Sequence, residues 1–206
     1  MRSGDGLILR LRITGGRLGP EMARTIADIA LRHGNGELDL GRRGGLQLRG
    51  IGEDGVAAVL AEVATLGLLD ADADAEVVRN VVASPLSDLD ETAEGDAFAL
   101  ARQLEAALVA DGPLRGLPAK FGFSIDDGGR IGLSAVPADV RLKFMRDGVA
   151  ISLDGGALAT RIQPGEAVGA ALRLARAFVD LAPTVDPQPR RMAALVGYLG
   201  AEAVFA

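Results

Sequence analysis

The order in which hydrophobic periodicities follow one another over residues 1–69 restricts this chain more than any single motif does. Residues 7–13 alternate, with Leu7, Leu9, Leu11 and Ile13 on one side and Ile8, Arg10 and Arg12 on the other. That pattern predicts a strand with one buried face and basic side chains on its second face. Gly15, Gly16 and Gly19 turn the chain, and Pro20 suits a first helical position. Met22, Ile26, Ile29 and Ala30 then recur at helical spacing, before His33 and a Gly34 cap. A short strand is expected over 37–40. The segment GRRGGLQLRG resumes alternation, with Leu46 and Leu48 on one face and Arg43, Gln47 and Arg49 sharing the parity of the other. Residues 53–66 read as a second helix that turns Val56, Val59, Leu60 and Val63 inward.

Strand, helix, strand, strand, helix is the order of a ferredoxin-like unit. Residues 70–76, DADADAE, read as a solvated linker: a calcium loop would need Gly where Ala75 stands and a closing Glu. A larger unit over 76–206 then opens with strand-like VVRNVVAS at 77–84 and a helix over 93–110 striped by Leu100, Leu104, Ala107 and Leu108. Lys120, Gly122 and Ser124 alternate with Phe121, Phe123 and Ile125, and Asp127-Gly128 suggests a hairpin back into 130–135. A second hairpin is expected at Asp147-Gly148, between 140–145 and 149–153, and a further turn at Gly155-Gly156. Two helices, 166–181 and 190–202, close the chain. The fold class is α+β, a ferredoxin-like half-domain over 1–69 followed by a larger α+β domain with an antiparallel-rich sheet.

Composition narrows the chemistry. There is no Cys and one His in 206 residues, so thiolate clusters, structural zinc, disulfides and cysteine nucleophiles cannot be assembled from this chain alone. A Ser-His-Asp arrangement is not expected, because the single histidine, His33, reads as a helix end. No metal ligands are assigned, and His33 reads as a helix-end capping or surface residue. Residues 1–50 carry nine Arg and five acids, a balance of +4, within a chain of net charge −6. The acidic remainder would repel nucleic acid, and neither lysine runs nor stacking aromatics occur. No apolar run is long enough to span a bilayer and no signal-peptide cleavage region follows the start, so the chain reads as soluble and cytoplasmic, with neither nucleic acid nor membrane among its partners. Fixed arginines suit a small polyanion, because a planar guanidinium grips a carboxylate through two bonds. Periodicity alone would read those same arginines as the solvated face of a sheet.

Four segments carry a more specific signal: SGDGLILRLRITGGRLG, ELDLGRRGGLQLRGI, VVRNVVASPLSD and LPAKFGFSIDD. In that order and spacing they resemble the nitrite/sulfite reductase superfamily, and within it the precorrin-3B synthases of aerobic cobalamin biosynthesis. The resemblance implies a tandem-repeat architecture with a tetrapyrrole held between the repeats, of which this chain is similar to the first half. The Met start so close ahead of SGDG, with only Arg2 between, suggests a shortened front. By resemblance, Arg10, Arg79 and Lys120 match catalytic residues that face the anion or reacting face, while Arg43, Gln47, Arg49 and Asn80 match the segments that hold the tetrapyrrole. Three positions depart from the reductases: Gly41 replaces a hydroxyl residue, Arg49 stands where sulfite reductases tend to have His, and Gly122 stands at their second lysine.

The resemblance further implies an oxidoreductase that hydroxylates precorrin-3A with molecular oxygen and forms a lactone. The family's [4Fe-4S] cluster and iron are implied to be held through the missing half, with no cofactor bound by this chain alone. The implied partners are the tetrapyrrole, precorrin-3A or sirohaem-like, and the C-terminal half or a second copy. Half of a sirohaem-dependent sulfite or nitrite reductase is the alternative within the superfamily. A stand-alone tetrapyrrole-binding or assembly module without redox activity is the alternative outside it.

Overall fold

The computed structural model describes residues 2–41, 43–70 and 72–206. Arg42 of the GRRGG segment and Ala71 of the expected linker lie outside the described residues. The chain divides into two compact units, Met1–Asp72 and Ala73–Ala206.

The first unit runs β1 (Arg2–Ser3), β2 (Gly6–Leu11), α1 (Pro20–His33), β3 (Leu38–Leu40), β4 (Leu46–Ile51) and α2 (Val56–Thr65). Its sheet has the order β1-β2-β4-β3, with every ladder antiparallel. Alternation puts Leu11, Ile13, Leu46 and Leu48, and an extra residue in β4 brings Ile51, against Ile26, Ile29 and Ala30 of α1 and Val59 and Val63 of α2. Pro20 occupies the first turn of α1 and Gly34 its C-terminal cap, as the sequence predicts. His33 ends that helix with Nε2 2.9 Å from Glu62 of α2, whose other oxygen accepts from Arg32 at 2.6 Å. The two hydrogen bonds hold the Glu62 carboxyl below its ordinary range. Leu60, expected inward, is 38% exposed. Val59 and Val63, four apart, define the buried stripe, and Leu60 stands to one side of it, about 100° around the helix from Val59. Between Leu7 and Leu9 the β2–β4 register slips by one, and there a Cβ on Gly6 would lie 2.9 Å from the backbone of Gly50. Only glycine allows the two backbones to approach so closely.

The second unit runs α3 (Ala73–Val78), β5 (Val81–Ala83), α4 (Ala97–Ala110), β6 (Phe123–Asp126), β7 (Val140–Met145), β8 (Gly148–Leu153), β9 (Ala159–Ile162), α5 (Ala167–Leu181), α6 (Met192–Leu199) and α7 (Ala201–Phe205). The strands form one mixed sheet, β5-β6-β7-β8-β9, with β6 parallel to both neighbours and β8 antiparallel to both of its own. Together the units make an α+β chain. Leu104 and Leu108 of α4 and Leu174 and Phe178 of α5 join Phe121, Phe123, Ile125, Leu142 and Ile151 in one core. Asp96 caps α4, its Oδ1 accepting from Ala99 N at 2.8 Å.

Several local expectations give way. Part of the expected linker, from Ala73 onward, is helical and runs through Val78, so VVRN is not a strand: β5 starts only at Val81. The hairpin expected at Asp127-Gly128 does not form, because the next strand, β7, pairs parallel with β6. The aspartates that resemble a turn signal bind backbone instead. Asp126 accepts from Gly128 N at 2.9 Å and Leu133 N at 2.8 Å, and Asp127 accepts from Gly129 N at 2.8 Å, shaping an irregular crossover. The β7–β8 hairpin and the turn into β9 do form. The last helix breaks at Gly200, whose φ is 82°.

Candidate anion-binding surfaces

In the first unit the parity that buries Leu46 and Leu48 leaves Gln47 and Arg49 on the opposite face of β4. Exposed Arg10 of β2 stands opposite Gln47, and Gln47 stands opposite Asp39 of β3. Arg10, Gln47 and Asp39 thus form a row across three strands. Arg49 lies one step along and is already engaged. Its Nε and Nη2 donate to Asp5 at 3.1 and 3.2 Å, Nη1 to Asp39 at 2.9 Å and Nη2 to Ser3 Oγ at 3.1 Å. The hydrogen bond from Arg49 holds the Asp5 carboxyl below its ordinary value, and Asp5 raises the arginine in return. Arg43, expected on the strand, lies instead in the β3–β4 turn, three residues ahead of β4. Gly44 N donates to Gly41 O at 3.1 Å and Gly41 N to Gly45 O at 2.7 Å, so the glycines close a turn and take Arg43 off the ladder.

In the second unit Arg79 and Asn80 occupy the connection between α3 and β5. Nε and Nη2 of Arg79 meet Oε2 of Glu105 on α4 at 3.1 and 3.0 Å, with side chains 14% and 6% exposed. Asn80 is buried, donating from Nδ2 to Phe121 O at 2.8 Å while its own carbonyl accepts from Phe123 N at 2.9 Å. Lys120 is exposed in the turn Pro118–Phe121, closed by Phe121 N donating to Pro118 O at 2.7 Å, and not on a strand as expected. Asn80 therefore ties the Arg79 connection to the turn that carries Lys120. A Cβ at Gly122 would sit 2.8 Å from Asn80 Nδ2, so a second lysine has no room there. Beside the turn opens a cavity of about 610 Å³, lined by Leu117, Pro118, Ala119 and Phe178, with Arg115 and Arg190 also on its wall.

The structure thus groups Arg10, Gln47 and Arg49 within one unit and Arg79, Asn80 and Lys120 within the other. Sequence reasoning missed Asp5 and Asp39, which hold Arg49, and Glu105, which holds Arg79, and it missed Asp139, which accepts from Gly122 N beside the Lys120 turn. Glu105 had a legible signal, standing four residues after buried Ala101 on the apolar stripe of α4. Asp139, ahead of β7, had none. A [4Fe-4S] cluster does not fit the donor set, since the chain has no Cys and the described residues contain no group of three or more His, Asp or Glu able to hold a metal. No helix among the described residues is long and apolar enough to cross a membrane.

Residues 1–66 match the nitrite/sulfite reductase ferredoxin-like half domain. Across 95% of its length the chain superposes, with a TM-score of 0.76 at 18% identity, on 38% of the NirA protein of Mycobacterium tuberculosis. Residues 1–66 therefore carry the nitrite/sulfite reductase ferredoxin-like half domain, as the first two motifs imply, and the chain as a whole shares the fold of the matching part of NirA. The chain is 36% identical over 166 residues, 78% of its length, to a precorrin-3B synthase of Sinorhizobium sp, and spans 34% of that relative. A ferredoxin–nitrite reductase of Synechococcus elongatus is 31% identical over 58% of this chain and 24% of its own length. One from Leptolyngbya laminosa is 29% identical over 57% of this chain and 24% of its own.

Proposed function

We propose that this chain is the N-terminal half of a precorrin-3B synthase-like oxidoreductase of aerobic cobalamin biosynthesis. Its part is to bind and orient the polycarboxylated precorrin-3A for oxygen-dependent hydroxylation and lactone formation. The observation that carries this reading is the 36% identity over 166 residues to a precorrin-3B synthase, higher than to either nitrite reductase. In it, Arg10, Arg79 and Lys120 meet the reacting side of the ligand, and Arg43, Gln47 and Arg49 take its peripheral carboxylates. Asn80 acts by holding the Lys120 turn. Strand-borne arginines support the reading, because a group pre-positioned by its neighbours loses less freedom on binding. The family's cluster and iron would come with the second half or a partner chain, and the protein would work in the cytoplasm.

Absorbance titration under anaerobic conditions with sirohydrochlorin, an iron-free polycarboxylated tetrapyrrole, tests the assignment. Arg10→Ala and Arg43→Ala are each expected to weaken binding by on the order of tenfold, the loss typical of one charge-assisted hydrogen bond. Unchanged affinity in both variants removes these residues from the site. The two nitrite reductase relatives favour a second reading, half of a sirohaem-dependent reductase. Tight retention of sirohaem, with rejection of the iron-free macrocycle, would select it.

A further inference from the structure

Two residues hold the three peptide groups that follow Lys120. Asn80 takes Phe121 O and Phe123 N. Between them, Gly122 N donates to Asp139 Oδ2 at 2.9 Å, and Gly122 O accepts from Asp139 N at 2.7 Å. Asp139 is 0% exposed. Its carboxylate also accepts from Met192 N at 2.7 Å and from Arg191 Nε at 3.0 and 3.1 Å. A carboxylate wholly removed from water persists only where donors match its lone pairs, and here three donors from two distant segments do so. The bonds span 17 residues to Gly122 and 53 to Met192, so one side chain joins the Lys120 turn to the start of α6.

We propose that Asp139 is a positioning residue for Lys120. It fixes the peptide groups beneath the turn that presents the Lys120 ammonium, and braces them against α6 through Met192 and Arg191. Lys120 has no alternative anchor in the sheet, because β6 begins only at Phe123. This rests on the reading of Lys120 as a group that meets the bound tetrapyrrole.

The test combines amide hydrogen exchange with a uroporphyrin III titration of the whole chain, in wild type, Lys120→Ala, Asp139→Asn and the double variant. Exchange at Gly122 and Phe123 is expected to rise in Asp139→Asn. Its affinity should fall by the same factor as in Lys120→Ala, on the order of tenfold, and the double variant should lose nothing further. That non-additivity separates positioning from general loosening, which would add to the lysine's loss. Should Asp139→Asn not fold, Arg191→Gln, which leaves the carboxylate its two backbone donors, replaces it with the same expectations. Unchanged exchange overturns the proposal. So does wild-type affinity in Asp139→Asn alongside weakened Lys120→Ala, which leaves the role of Lys120 standing. Wild-type affinity in Lys120→Ala, or no binding by wild type, removes the functional reading and the positioning role with it.

Discussion

In the first unit Arg49 meets Asp5 and Asp39 at a sheet surface, with side chains 25%, 31% and 52% exposed. In the second, Arg79 and Arg191 meet Glu105 and Asp139, whose side chains are 6% and 0% exposed. The chemistry is the same and the consequence is not. A pair in contact with water is screened, exchanges its partners easily and adds little stability. A pair whose acid is buried gains little when formed, but its rupture leaves charge in a medium that cannot solvate it. The first unit therefore holds arginines that a ligand's carboxylates could recruit at small cost. The second holds arginines paired to buried acids, and these pairs cannot be broken without loosening the core.

The sharpest way to break this contrast is Glu105→Ala. It removes the carboxylate from a guanidinium only 14% exposed and is expected to cost about 3 kcal/mol or more, read from the urea midpoint. A cost within measurement error would place Arg79 with the surface pairs. Gly122→Ala comes next, at about 1–3 kcal/mol, the range for forcing a methyl group into filled space. Because the crowding atom is Asn80 Nδ2 at 2.8 Å, adding Asn80→Ala should recover part of the Gly122→Ala loss in a double-mutant cycle. Full additivity would mean that the two do not press on each other. Asp5→Ala should give the smallest shift in midpoint of the three, one that disappears at about 1 M salt, where the Debye length is about 3 Å. A salt-independent loss would show that Arg49 behaves like a buried pair.

Acid sharpens the same comparison. Asp90 Oδ1 accepts from Thr92 Oγ1 at 2.6 Å and Thr92 N at 2.9 Å, and Oδ2 from Arg130 N at 2.7 Å. With the Thr92 hydroxyl as the largest cause, these bonds bring its carboxyl from 3.8 down to about 2. A carboxylate with a depressed folded-state pKa contributes stability that is complete above its unfolded value and lost as pH falls through the folded one. The stability difference between wild type and Asp90→Asn should therefore be flat above about pH 5 and shrink toward pH 2. A difference that holds constant down to pH 2 would show that Asp90 gains nothing from ionisation.

Much of the fold was legible because apolar periodicity reports burial directly. Leu11, Ile26, Ile29, Leu48 and Val63 are all buried where alternation or helical spacing puts them. Glycine and aspartate were less readable, since the same dipeptide can turn a hairpin or cap a crossover. Asp147-Gly148 accompanies a hairpin, whereas Asp127-Gly128 opens the parallel crossover in which Asp126 and Asp127 bind backbone. The bases proposed for the site were legible as residues, but their secondary structure was not. Arg43, Arg79 and Lys120 all fall in turns or connections beside strands. The acids around them come from remote segments: Glu105, which pairs with Arg79, is 26 positions away, and Asp139 bonds residues 17 and 53 positions away, and no local pattern encodes such pairs.

Recognition of a tetrapyrrole through its carboxylates is the property on which the proposed role of this chain depends. The most direct measurement is a parallel titration with uroporphyrin III and with its fully methyl-esterified form, which keeps the flat macrocycle and removes the charges. The acid is predicted to bind, added salt to weaken it, and the ester to bind far more weakly. Equal binding of acid and ester, or no binding of either, would contradict that role.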